Sequence, residues 1–206
     1  MEGRRQAEPR QPALSFFLVA MAASAGGLQA LGRVLSSLPS RLPAAIVVVQ
    51  HLDPHHRSRM AEILAKRTAL HVAEAMEGEW LRPGQVRIAP PDRHLLVNPD
   101  GSLTLSQSEL VHFVRPSADL LFESAAAAFG KRVIAVVLTG TGSDGAMGVT
   151  AVKKMGGTVI AQDEASSDFF GMPGAAIKAG AVDLVLPLAE IPSAIVALVT
   201  GDGIHE

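Results

Sequence analysis

The chain has no cysteine among its 206 residues. That excludes disulfides, thiolate nucleophiles, zinc–thiolate sites and iron–sulfur clusters, and it fits a reducing compartment such as the cytoplasm. Long hydrophobic runs are also missing: none reaches the roughly 18 residues of a membrane span, so membrane insertion is not expected. Neither sign of charge is in excess. The formal net charge is −2, which gives no support to a general nucleic-acid binder. Charged residues make up only 18% and hydrophobic ones 48%, a balance outside the range of disordered polyelectrolytes. A chain of this size buries roughly 70% of its unfolded surface, enough for one large core. The expected layout is a polar tail over 1–12, one domain over 13–200 and a short tail over 201–206.

What is present is an alternation of two periods. LSFFLVA (14–20) and AIVVVQ (45–50) are short, continuous apolar runs, as are RVIAVVLTG (132–140), TVIAQ (158–162) and VDLVLP (182–187). Between them lie segments with helical spacing: 26–38, 58–67, 117–130, 145–157, 173–180 and a last one near 188–199. Residues 14–25 superficially resemble a secretory leader, but GGLQALGRVL continues as a helix, so the run reads as a buried strand. Strands that are apolar throughout, alternating with helices, predict a doubly wound α/β fold: a mostly parallel sheet with helices on both faces. Residues 71–106 break the pattern with short runs and turns at Pro83-Gly84, Pro90-Pro91 and Asn98-Pro99-Asp100-Gly101. They are expected to form a small antiparallel insertion or edge.

Ligands of such sheets sit at the carboxyl ends of the strands. Three strand ends carry reactive side chains: MAASAGG holds Ser24, QHLDPHH holds His51 and TGTGSDGAMG holds Asp144. A serine hydroxyl needs a base to become a nucleophile. Neutral imidazole is that base near pH 7, and a carboxylate orients it and stabilises the imidazolium. Gly26 and Gly27 permit a tight turn from Ser24 into a helix, whose N–H groups would face a developing oxyanion. Each residue also fits a plainer role: Ser24 and Asp144 as helix caps, His51 as a loop histidine bonded to backbone.

Other constellations compete. Gly140-Thr141-Gly142-Ser143-Asp144-Gly145 spells GxGxxG between a strand and a helix, with Asp163 about 20 residues on, the spacing of a Rossmann-type dinucleotide fingerprint. Only about 60 residues follow it, too few for a full dinucleotide fold and a substrate domain. His51, His55 and His56 with Asp53 match no zinc spacing, and Pro54 opposes a helical pair. Arg57, Arg59, Lys66 and Arg67 form a basic set on a solvated helix face. A pure interaction module, with no chemistry at these turns, is a further reading.

At the same residues the chain resembles the catalytic domain of CheB-type protein-glutamate methylesterases. The segments that carry the likeness are ASAGG (23–27), VVQHLDP (48–54), LRPGQVRIAPPDRHLLV (81–97), RPSADLLFESAA (115–126), VVLTGTGSDGAMG (136–148), QDEASSDFFGMP (162–173) and AAIKAGAVDLVLP (175–187). The resemblance implies a serine carboxylic ester hydrolase with Ser24 as nucleophile, His51 as base and Asp144 as orienting acid. It implies methylated receptor helices as protein substrate, glutamate γ-methyl esters as the bond cleaved, deamidation of glutamine in related members, and no metal or organic cofactor. Ala25, Gly26, Thr141 and Met172 are the expected oxyanion and substrate residues. The chain departs from the family's usual residues at Ala22, Ala25 and Thr141. Many members carry an N-terminal receiver domain; about 12 residues precede the first strand here, which fits either a stand-alone form or a piece of a longer protein, and receiver or methyltransferase proteins are among the partners the resemblance implies.

Overall fold

A computed structural model describes residues 15–51 and 58–201. The tail expected over 1–12 lies outside the described residues, as does all but Gly201 of the tail expected over 201–206, and so do Asp53, His55 and His56. The core is a seven-stranded sheet of β1 (Phe17–Ala23), β2 (Ala44–Gln50), β3 (His71–Glu74), β4 (Gln85–Ile88), β7 (Val133–Val137), β8 (Thr158–Gln162) and β9 (Leu184–Leu186). Its order is β3-β4-β2-β1-β7-β8-β9, and every neighbouring pair is parallel. The two remaining strands, β5 (His94–Val97) and β6 (Leu103–Ser106), form a separate antiparallel pair. The doubly wound prediction is borne out, and the structure divides the stretch 71–106. Its first half extends the main sheet as a parallel edge, and only its second half is the antiparallel insertion.

Helices α1 (Gly27–Ser36), α2 (Met60–Ala65), α3 (Ala118–Phe129), α4 (Gly148–Lys154), α5 (Gly171–Lys178) and α6 (Ile191–Thr200) cover both faces. Alternation along each strand sorts its side chains between two cores. Ala20, Ala22, Val47 and Val49 pack with Leu121, Phe122, Val149 and Ala176 of α3, α4 and α5. Val19, Met21, Ile46 and Val48 pack with Leu31, Leu35, Leu64 and Ile195 of α1, α2 and α6. Strands buried on both sides have no polar positions to reveal a period of two, which explains their unbroken apolar runs.

From β1 the chain winds outward to β2 and beyond, then returns to β7 on the other flank of β1. This reversal opens a crevice at the carboxyl ends of β1, β2 and β7, the usual position of a ligand site in an open α/β sheet. Among the described residues no helix is long and apolar enough to cross a membrane.

Candidate active site

Ser24 and His51 are the first residues beyond β1 and β2. The register ends at Ala23 opposite Gln50, and the His51 N–H donates to the Ala23 carbonyl at 3.2 Å. The Ser24 N–H donates to the Thr139 carbonyl of the β7 end at 3.0 Å. Ser24 is thus held between the ends of both neighbouring strands. Carried one residue past each strand, the alternation turns Ser24 and His51 toward the α3 face and Gln50 toward α1. Gln50 Nε2 donates to the Ser24 carbonyl at 2.7 Å and to the His51 carbonyl at 3.2 Å, tying the two turns together. Its Oε1 is buried without a hydrogen-bond partner and lies where a Cβ on Gly27 would sit.

The turn after Ser24 is closed by the Gly27 N–H on the Ser24 carbonyl at 2.8 Å, with Gly26 at φ +77°. That left-handed value suits glycine. The N-cap of α1 is Gly26 and no side chain caps it, so Ser24 does not have the plain capping role. The N–H groups of Ala25 and Gly26 precede the first helix donor, Ala30, and stand at the positive end of the helix dipole.

Asp144 is 4% exposed and both its oxygens are fully engaged. Oδ2 accepts from His51 Nε2 at 2.8 Å and from the Ala118 N–H at 2.6 Å. Oδ1 accepts from Ser117 Oγ at 2.9 Å and from the Asp119 N–H at 3.1 Å. Burial alone would raise its pKa. The hydrogen bond from His51, the two N–H groups and the imidazole charge outweigh burial and hold the carboxyl below the ordinary aspartate range. With Nε2 committed to the carboxylate, Nδ1 is the imidazole nitrogen left to take a proton.

Asp144 does not cap its own following helix. The N-cap of α4 is Met147, three residues later, because Gly145 at φ +99° turns the chain away from helical geometry. Its carboxylate instead meets the N-terminus of α3. The predicted N-cap of that helix, Ser117, is in place, but its hydroxyl donates to Asp144 and makes no capping bond.

The remaining candidates divide. Gly140 lies directly under the Ser24 turn: a Cβ there would fall 2.9 Å from Ser24 Cβ and against Met172 Sδ. Thr141 is exposed in the next position of that turn. Met172 is fully buried, with its sulfur against Gly140 and its N–H donating to the Gly140 carbonyl at 2.9 Å. The dinucleotide reading is corrected as well. Asp144 within GTGSDG is bound by α3 and His51, and Asp163 accepts from Ser166 Oγ at 2.6 Å and Ser166 N at 3.0 Å in its own turn. Asp144 is therefore not free for a ribose, and Asp163 is committed through Oδ1 to its own turn.

Four contributors escaped the sequence reading. Gln50 joins the two turns, Ser117 and Asp119 hold Asp144, and fully buried His94 accepts the Ser117 N–H through Nδ1 at 3.1 Å. Only the pairing of residues some 23 to 28 apart could reveal the last three, and no local pattern encodes that.

Comparison with known proteins agrees with this architecture. The sequence model of CheB methylesterases matches residues 19–195. The "Protein-glutamate methylesterase/protein-glutamine glutaminase" of Moorella thermoacetica is 46% identical over 94% of this chain and 46% of its own length. "Protein-glutamate methylesterase FrzG" of Myxococcus xanthus is 44% identical over 94% of this chain and 57% of its own. The chain therefore spans about half the length of these relatives. The crystal structure of the Thermotoga maritima CheB methylesterase catalytic domain superposes with a TM-score of 0.87 at 40% identity, covering 90% of this chain and all of that one. By sequence and by fold, the chain belongs to the CheB methylesterase family.

Proposed function

We propose that the chain hydrolyses γ-methyl esters of glutamate side chains on methylated receptor helices, with Ser24, His51 and Asp144 as its triad. One observation carries this reading. A buried carboxylate with four donors holds the His51 imidazole by Nε2 at 2.8 Å, at the same sheet edge as Ser24. The names of the Moorella and Myxococcus relatives support the substrate class.

In the first step His51 Nδ1 takes the Ser24 proton as Oγ attacks the ester carbonyl. The Ala25 and Gly26 N–H groups receive the negative charge on the carbonyl oxygen, and the Thr141 turn borders it. The C–O bond to the methoxy group breaks, the imidazolium returns its proton and methanol leaves. Water then attacks the glutamyl–Ser24 ester with His51 again as base, giving a free carboxylate and the regenerated hydroxyl. No step calls for a cofactor. The Moorella relative's name adds glutamine deamidation. The same acyl-enzyme route releases ammonia from a primary amide, so an ammonia assay on the same receptor distinguishes the two substrates. A cytoplasmic setting, with receiver and methyltransferase proteins as partners, accompanies this reading.

The test is methanol release from a methylated receptor. Wild type releases it and Ser24→Ala does not; equal release by both removes Ser24 as the nucleophile. The rate falls on the acid side as the imidazole takes up a proton, and a flat profile from pH 5 to 8 removes His51 as the base.

A further inference from the structure

We infer that Asp119 is a positioning residue for the triad: it fastens the loop that carries Asp144 and places a second carboxylate beside it. The inference rests on the reading of Asp144 as the orienting acid.

Helices α3 and α4 exchange caps. The Asp119 N–H, in the first turn of α3, donates to Asp144 Oδ1 at 3.1 Å. In return Asp119 Oδ1 accepts the Gly148 N–H at 2.7 Å and the Met147 N–H at 3.0 Å, the opening donors of α4. The turn 144–147 is therefore held at both ends, by its own acid on α3 and by the acid of α3 on its far side. The approach is close enough to require glycine: a Cβ on Gly148 would lie 2.9 Å from Asp119 Cα. An unlinked loop would let Asp144 rotate with the imidazole, and its orienting role would weaken.

A cap alone does not explain a carboxylate. Oδ1 makes both capping bonds, whereas Oδ2 is buried with no hydrogen-bond partner. His112 Nε2 stands 3.6 Å from Oδ2. Asparagine would supply the same capping oxygen without burying a charge, and leaving a buried charge half satisfied is unfavourable. The second oxygen has a use if the charge itself acts. Asp144 faces it from the β7 side and His112 from the 111–114 turn. His51 stands beyond Asp144. His94 enters only through Ser117, whose N–H it accepts. A negative charge in this position favours the imidazolium of His51 in the transition state.

The experiment follows the assigned His51 resonance by NMR titration in the full chain, with His51→Gln for assignment. Asp119→Ala removes both link and charge, and we expect the His51 midpoint to fall by about one pH unit. Asp119→Asn keeps the Oδ1 acceptor and is expected to lower it by less. With methylated receptor, Asp119→Ala loses about tenfold in kcat with KM nearly unchanged, and Asp119→Asn recovers most of it. Midpoints equal to wild type in both variants overturn the inference. If Asp119→Ala does not fold, Asp119→Asn alone decides: a lowered midpoint supports the inference and an unchanged one overturns it. The titration uses no substrate, so failure of wild type to release methanol defeats the proposed reaction and leaves this result standing.

Discussion

Asp144 concentrates most of the local chemistry in one side chain. Its four donors come from two segments: His51 after β2, and the start of α3, where the Ser117 hydroxyl and the first two N–H groups of the helix converge. Replacing one oxygen by an amide group sets donor against donor. Asp144→Asn is expected to cost about 1–3 kcal/mol at pH 7, the usual penalty for an orphaned buried donor, as read from urea denaturation. The pH dependence follows from the lowered pKa. A carboxyl whose folded pKa lies below its unfolded value, near 3.8, stabilises the fold above that value and loses the effect as pH falls through the folded pKa. Wild type should therefore lose more stability than Asp144→Asn between pH 5 and 2 or thereabouts, and parallel pH curves for the two would contradict the assignment. Burial and the Asp144 charge push Asp119 the other way, against the N–H groups of Gly148 and Met147 and the His112 charge. Its contribution reverses in sign: a raised folded pKa destabilises as pH rises through the window between the unfolded and folded values. Asp119→Asn removes that term, so its melting temperature should gain on wild type as pH rises from 4 toward 7.

At the scale of elements, the site is built by how closely turns approach helices. Gly140 and Gly148 mark the two closest approaches. A methyl on Gly140 would push Ser24 and Met172 apart, so Gly140→Ala should abolish more activity than stability. Methanol release normalised to folded protein checks this. A methyl on Gly148 meets Phe122 Cβ at 2.7 Å and Asp119 backbone at 2.9 Å. Overpacking of this kind costs about 1–3 kcal/mol, so Gly148→Ala should lower the denaturation midpoint and loosen α3 against α4. The helices themselves were legible in the sequence, because the 3.6-residue period and glycine stops are local signals. The opening of α4 was not: helical spacing begins at Gly145, but the φ of that glycine delays the helix to Gly148. Which acid caps which helix was equally hidden. A Ser or Asp before a helix reads as its cap, whereas here Asp144 serves α3 and Asp119 serves α4.

Across the whole molecule, two apolar layers hold the sheet and aim its carboxyl edge. Phe122 is fully buried between α3, the sheet and α4. Phe122→Ala is expected to cost about 3–5 kcal/mol. Because α3 also delivers the N–H groups of Ala118 and Asp119 to Asp144, turnover per folded molecule should fall with it. A variant that lost stability and kept full turnover would separate the core from the site. The order of elements, the doubly wound class and the three strand-end candidates followed from the sequence by itself, since the two periodicities and the chain direction place Ser24, His51 and Asp144 at one sheet edge. Tertiary structure decided the rest. It set β4 parallel to β2 and β3 parallel to β4 where turn-rich short runs read as antiparallel. It buried Met172, turned the imidazole so that Nε2 meets Asp144, and swapped the caps of α3 and α4. Each of these outcomes depends on contacts between segments far apart in the chain, whose energies are set by packing and loop closure and leave no periodic trace in either segment.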